Sequence, residues 1–181
     1  MIIGIVGMPG SGKGIVDEVA SDLGCAVIIM GDVIREEARK RGLEPTPEIT
    51  GKIMLEIRAK EGLNAVAKRC IPKIVSSLSR CVVIDGIRSI EEIREFKKNF
   101  PSFILIAVQS SAQTRFERLH QRKRSDDPDG WKAFLERDQR ELKVGVGKAM
   151  KTADYTITNE GSVSEFKENV AKLLKKVLSI E

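Results

Sequence analysis

Apolar residues in this chain gather into short dense runs, separated by stretches in which they recur every three or four positions. Five runs read as strands: 2–6, 26–30, 81–85, 103–108 and 155–158. Most lack alternation with polar residues, as expected for strands buried on both faces of a parallel sheet. Helical periodicity marks 15–23, 32–40, 47–60, 63–79, 131–144 and 163–179. The last carries Val163, Phe166, Val170, Leu173, Leu174 and Val177 on one face and reads as structural. Strands alternating with helices predict an α/β fold: a five-stranded parallel sheet between two helical layers.

Two intervals exceed an ordinary crossover. Residues 31–79 hold three helical patterns, broken at 42–47 and 61–62, and no strand, which predicts a helical insertion. Residues 115–150 carry Arg115, Arg118, Arg122, Lys123 and Arg124, a turn over 125–130, and a helix bearing Arg137 and Arg140. The 181 residues suit one domain, 1–181, with these two elaborations.

Composition narrows the function. The net charge of +5 favours an anionic ligand. It permits RNA as well, but 4% aromatic residues are too few for a base-stacking platform, so nucleic acid is not the favoured partner. No apolar run approaches a membrane span, and Met1 leads straight into a strand, so a cytoplasmic protein without a signal peptide is expected. Cys25, Cys70 and Cys81 are too scattered for a zinc site, and Cys25 and Cys81, at strand starts, are expected to be buried. His120 is expected at the surface with no role, and Trp131 is expected to anchor the helix that follows it. Oligomeric state leaves no sequence signal.

The chemistry concentrates after the first strand, where residues 7–14 read G-M-P-G-S-G-K-G. Gly7, Gly10, Gly12 and Gly14 let the backbone wrap with its N–H groups inward, the following helix adds its dipole, and Lys13 adds a full charge. Gly7, Gly12 and Lys13 fit the phosphate-loop pattern G-x-x-x-x-G-K-[ST], but Gly14 occupies the hydroxyl position. A dinucleotide G-x-G-x-x-G reading from Gly10 fails at Ile15. The run 82–85 ends in Asp85, where an acid can hold Mg²⁺. Gly31, Asp32 and Arg35 follow the second strand, and Arg88 follows the third. Both arginines thus lie where α/β sheets bind ligands, and both suit a phosphate. Of the arginines in 115–140, Arg118, Arg122, Arg137 and Arg140 are candidates as a group for neutralising a transferring phosphoryl; the others read as exposed helix charges.

Together these segments resemble the adenylate kinase branch of P-loop nucleotide kinases, in particular the largely archaeal proteins described as adenylate-kinase-related. The 7–14 loop is similar to that branch's G-x-P-G-x-G-K-G, and Gly31-Asp32 through Arg35 is similar to its G-D-M-L-R, whose Arg binds the acceptor phosphate. D-G-I-R over 85–88 is similar to its D-G-F-P-R, one residue shorter, and the Arg-rich interval is similar to its lid. A-D-Y-T-I-T-N over 153–159 with Gly161 resembles a turn of dephospho-coenzyme A kinases that lies against the nucleotide base, which implicates Asn159. The resemblance covers most of the chain in the expected order. It implies a P-loop NTPase fold and an ATP- and Mg²⁺-dependent phosphotransferase. Gly7, Met8, Pro9, Gly10, Ser11, Gly12, Lys13, Gly14, Arg118 and Asn159 would bind ATP, and Gly31, Asp32, Arg35 and Arg88 the acceptor. Lys13, Asp85, Arg122, Arg137 and Arg140 would serve the transfer, and Asp85 the metal.

Three departures stand out. Ile15 replaces the usual Thr after the loop, leaving Ser11 as the available hydroxyl. Met30 replaces the small hydroxyl residue before G-D, and the loop to Arg88 is short. An AMP-like acceptor is expected. The alternatives are a dephospho-coenzyme A kinase-like enzyme using Asp32 as base, against a role for Asp32 in capping its helix, and a nucleotide-gated protein of RNA or ribosome assembly.

Overall fold

A computed structural model describes residues 1–123 and 127–179. The elements are β1 (Ile2–Val6), α1 (Lys13–Asp22), β2 (Ala26–Ile29), α2 (Met30–Lys40), α3 (Pro47–Glu61), α4 (Ala65–Val75), β3 (Val82–Ile87), α5 (Ile90–Asn99), β4 (Phe103–Gln109), α6 (Ala112–Arg122), α7 (Trp131–Val144), α8 (Val146–Met150), β5 (Tyr155–Thr158) and α9 (Val163–Leu178). The strands form one sheet in the order β2-β3-β1-β4-β5, and every pairing is parallel. No helix among the described residues is long and apolar enough to cross a membrane.

Strand β1 is buried along its whole length because it has a neighbour on each side and helices above and below. Its residues alternate between two cores. Ile2 and Val6 join Ile84 and Leu105 under Ile34, Cys70, Ile93, Phe96 and Ala149 of α2, α4, α5 and α8. Ile3 and Ile5 join Val83, Ile106 and Val108 under Val16 and Ala20 of α1 and Phe166, Val170, Leu174 and Val177 of α9. Truncating a fully buried ring such as Phe96 or Phe166 to alanine costs about 3–5 kcal/mol. Gly4 is required by packing: a Cβ there would stand 2.5 Å from Ile87 Cδ1 and from Phe103 Cζ.

Several boundaries differ from those the sequence predicts. Helix α1 begins at Lys13, inside the glycine loop, and Met30 opens α2 instead of closing β2. The pattern over 63–79 contracts to α4, leaving Leu63 and Leu78 exposed. Beyond α4 the Ser79 hydroxyl bonds the carbonyls of Gly24 and Cys81, drawing the chain off the helix axis toward β3. Strand β3 runs two residues past Asp85. Its register against β1 breaks there, Ile5 facing Asp85 and Val6 facing Ile87, and Gly86 absorbs the bulge at φ 98°. The bulge re-aims Asp85 beside the last residues of β1, where the glycine loop departs.

Helices α2, α3 and α4 pack on one another as the expected insertion. Arg41 joins Glu37 to Glu56, and Arg69 joins Glu37 to Glu61, so one network of ion pairs spans all three helices and their links.

Candidate active site

The loop after β1 is held from below. Gly12 caps α1 at φ 100°, and a Cβ there would lie 2.2 Å from Asn159 Nδ2. Gly7 is equally confined, 2.6 Å from the Val108 carbonyl and 2.7 Å from Ser11 Oγ by the same measure. By contrast Gly14 opens onto space. The first turn of α1 carries no acid and its N-cap no side-chain hydrogen bond, so the positive end of the helix is left for an external anion.

Asn159 is 2% exposed. Its Nδ2 donates to the Ser11 carbonyl (2.9 Å), and its Oδ1 and carbonyl accept from Arg118 at 3.1 Å each. Both residues therefore brace the loop from the β5 side, with the Asn159 amide engaged through both its nitrogen and its oxygen.

Lys13 Nζ reaches back over the loop to the carbonyls of Gly7 (2.9 Å) and Met8 (3.4 Å). Burial pushes its ammonium below the usual lysine range, against the pull of Asp85. Burial also raises the Asp85 carboxyl, with Lys13 and the Gly86 amide opposing. Sequence reasoning missed a third member, Asp17, one helical turn beyond Lys13. Burial and the Asp85 charge push its carboxyl up to about 7. Asp17 Oδ1, Asp85 Oδ1 and Ser11 Oγ are all buried without a hydrogen-bond partner. The signal was present in the four-residue spacing from Lys13, which puts both side chains on one face of α1.

Across the sheet edge, Arg35 folds back along α2. Its guanidinium holds Asp32 Oδ1 through Nε (2.9 Å) and Nη2 (2.5 Å) and lies against Gly31, where a Cβ would stand 3.3 Å from Nη1. Asp32 sits in the first turn of α2, whose N-cap is Ile29, so it favours the helix dipole without capping the helix. Arg88 follows β3, and its Nη1 lies 3.2 Å from Glu141 of α7. Its charge bears on both Lys13 and Asp85. Behind it Glu92, fully buried, accepts the Arg88 N–H (2.8 Å) and pairs with Arg58 of α3 (2.8 Å). Neither Arg58, Glu92 nor Glu141 was signalled by the sequence, because each partnership joins distant segments.

The arginines of 115–140 do not act as one cluster. Arg115, expected as an exposed charge, is buried. Its guanidinium pairs with Asp138 (2.8 and 2.5 Å), donates to the Pro9 carbonyl (3.2 Å) and lies over the Phe134 ring. It ties α7 to the glycine loop, a role open to it because Asp138 supplies the compensating charge. Arg118 braces Asn159. Arg122 pairs with Asp127 (2.5 Å), and Arg137 approaches the same carboxylate (3.5 Å). Arg140 is exposed and lines, with Arg137, a cavity of about 200 Å³ walled by Asp127, Pro128, Asp129 and Ala133. Trp131 stacks on Phe134 and meets Phe116 edge-on, anchoring α7, and His120 is exposed. Arg124 and the first two residues of the 125–130 turn lie outside the described residues.

Comparison with known proteins fits this geometry. A family model described as an AAA domain matches residues 6–134. A UPF0200 protein of Methanothermobacter thermautotrophicus is 44% identical over 177 residues, 98% of this chain and 90% of that protein. A UPF0200/UPF0201 protein of Archaeoglobus fulgidus is 49% identical over 97% of this chain, which spans only 55% of that relative. Among solved structures, a shikimate kinase from Acinetobacter baumannii in complex with shikimate superposes with TM-score 0.59 at 19% identity, covering 98% of this chain and 93% of that one. A gluconokinase from Sinorhizobium meliloti does so with TM-score 0.61 at 14% identity, covering 98% and 93%. At such identities these neighbours speak to the fold alone.

Proposed function

Starting from its membership of the UPF0200 family, with the AAA-type P-loop kinase-like domain that covers most of its length, we propose that the chain is an ATP-dependent phosphotransferase. Its acceptor is a small molecule that already bears a phosphate, of the nucleoside monophosphate class. One observation carries the reading. The edge of the sheet that presents the glycine loop, Lys13 and Asp85 also presents Arg35 and Arg88, two cations beyond those a nucleotide-binding loop needs.

The loop amides and Lys13 hold the β- and γ-phosphates of ATP, and the α1 dipole adds to their field. Asp85 suits Mg²⁺, since its buried Oδ1 lacks a donor; bound Mg²⁺ would neutralise phosphate charge. Arg35 and Arg88 hold the acceptor phosphate. At present each rests on an acid of the chain, Asp32 and Glu141 respectively, and a phosphate offers either guanidinium a doubly charged replacement. An acceptor phosphate oxygen then forms the new bond to the γ-phosphorus while the β–γ bridging bond breaks, and ADP leaves. An oxygen already charged needs no base, which suits a site where Asp32 is engaged by Arg35. This reading takes the protein to work in the cytoplasm, where ATP is supplied.

Equilibrium binding tests the two halves separately. Lys13→Ala should weaken ATP binding at least tenfold, and Arg35→Ala should weaken AMP binding by about 1.5–3 kcal/mol while sparing ATP. Unchanged ATP affinity in Lys13→Ala would remove the loop from the donor site. Unchanged AMP affinity in Arg35→Ala would remove Arg35 from the acceptor site.

A further inference from the structure

Phosphate loops that handle Mg²⁺ ordinarily end in a hydroxyl residue directly after the lysine. This chain has Gly14 there and Ile15 next, and neither offers an oxygen. Asp17 is the next residue on the Lys13 face of α1, four positions on. Its Oδ1 is sealed from solvent without a donor, and Asp85 Oδ1 is in the same condition across the loop. Asp17 feels the Asp85 charge, and each of the two feels Lys13. Lys13 reaches two loop carbonyls with its ammonium, so its hydrogen bonds do not serve these acids. Ser11, 1% exposed, adds a third buried oxygen without a partner inside the same loop.

Folded proteins leave few buried polar atoms unpaired, and here three oxygens in one small region are left so. Asp17 and Asp85 each leave a buried carboxyl oxygen without a donor beside Lys13, a place for a cation that arrives with the phosphates. The donors are all hard oxygens, and no group of three or more His, Cys, Asp or Glu side chains gathers among the described residues. Mg²⁺ is held in this manner, by one or two carboxylates together with substrate phosphates, rather than by a full protein cage.

We infer that Asp17 is a metal-site residue, which together with Asp85 holds the divalent cation of the nucleotide and supplies the oxygen that Gly14 and Ile15 lack. The assignment rests on the phosphotransferase reading of the loop, and it moves the cation's anchor one turn along α1.

Mn²⁺ is a suitable probe, read by electron paramagnetic resonance or calorimetry, with and without a non-hydrolysable ATP analogue. Asp17→Asn and Asp85→Asn should each weaken Mn²⁺ binding in the presence of the analogue at least tenfold. In EDTA both variants should bind the analogue as well as the wild type or better, since each loses a negative charge facing the phosphates. Asp17→Asn should melt in EDTA no lower than wild type, and Mn²⁺ with the analogue should raise its melting temperature less than it raises that of wild type. Asp17→Ala, which also removes the hydrogen-bonding amide, should show the same loss of Mn²⁺ affinity. Wild-type Mn²⁺ affinity in either Asp17 variant, with normal analogue binding, would overturn the assignment alone. Failure of the wild-type protein to bind the analogue at all would overturn the phosphotransferase reading on which it stands.

Discussion

Replacing Arg58 by methionine tests the connection between the helical insertion and the Arg88 loop. The Arg58 and Glu92 side chains are 9% and 0% exposed, and Glu92 also carries the Arg88 N–H. Breaking a buried ion pair by removing one partner costs about 3–5 kcal/mol, because the remaining charge stays buried. Against this, Arg58 Nη1 is buried without an acceptor, and losing it recovers about 1–2 kcal/mol of desolvation. The net expectation is a loss of about 1–4 kcal/mol, or roughly 2–16 °C in melting temperature for a chain of this size. Urea unfolding of Arg58→Met, Glu92→Gln and the double variant measures it. The double variant should regain most of what Arg58→Met loses, since the stranded charge is gone. A loss below about 0.5 kcal/mol in Arg58→Met, or strict additivity in the double variant, would refute a buried and coupled pair.

Other perturbations read out other parts. Gly12→Ala should abolish ATP binding, because φ 100° strains any side chain and its Cβ would meet Asn159 Nδ2; ATP affinity within threefold of wild type would contradict the packed loop. Glu141→Gln should tighten AMP binding severalfold by releasing Arg88 to the acceptor, with weaker or equal binding in calorimetry counting against that competition. Hydrogen bonds from arginine hold the Glu37, Glu56 and Glu61 carboxyls below the usual value of 4.5. Their contribution is therefore fully present above about that pH and is lost as pH falls through the depressed values. The urea midpoint should therefore drop below about pH 4.5 on this account, and drop less in Glu37→Gln or at 0.5 M salt; identical profiles would show that the network adds nothing.

The parallel sheet, the phosphate loop and the insertion were legible in the sequence because each rests on local signals: unbroken apolar runs, glycines at fixed offsets, helical periods. The placement of Asp85 and Arg88 at the end of β3 could be read because a short motif follows an apolar run. What escaped depended on pairing through space. Arg115 looks like any surface arginine until Asp138, 23 residues on, provides its partner and the Phe134 ring its cover. Arg58 and Glu92 are 34 residues apart and lie on different helices. Asp17 carried a local signal, its spacing from Lys13, but its importance lies in the absence of donors, which no spacing reveals. The lid arginines show the opposite case. Their sequence proximity implied one cluster, while Asn159 draws off Arg118, Asp127 engages Arg122 and Arg137, and Arg140 faces outward.

The most direct measurement follows γ-labelled ATP with Mg²⁺ and a panel of acceptors that includes AMP, other nucleoside monophosphates and dephospho-coenzyme A, in wild type and Lys13→Ala. Label should move to a nucleoside monophosphate, giving the diphosphate, and should stay on ATP in Lys13→Ala. Label released only as inorganic phosphate, with every acceptor unlabelled, would contradict a two-substrate transfer site.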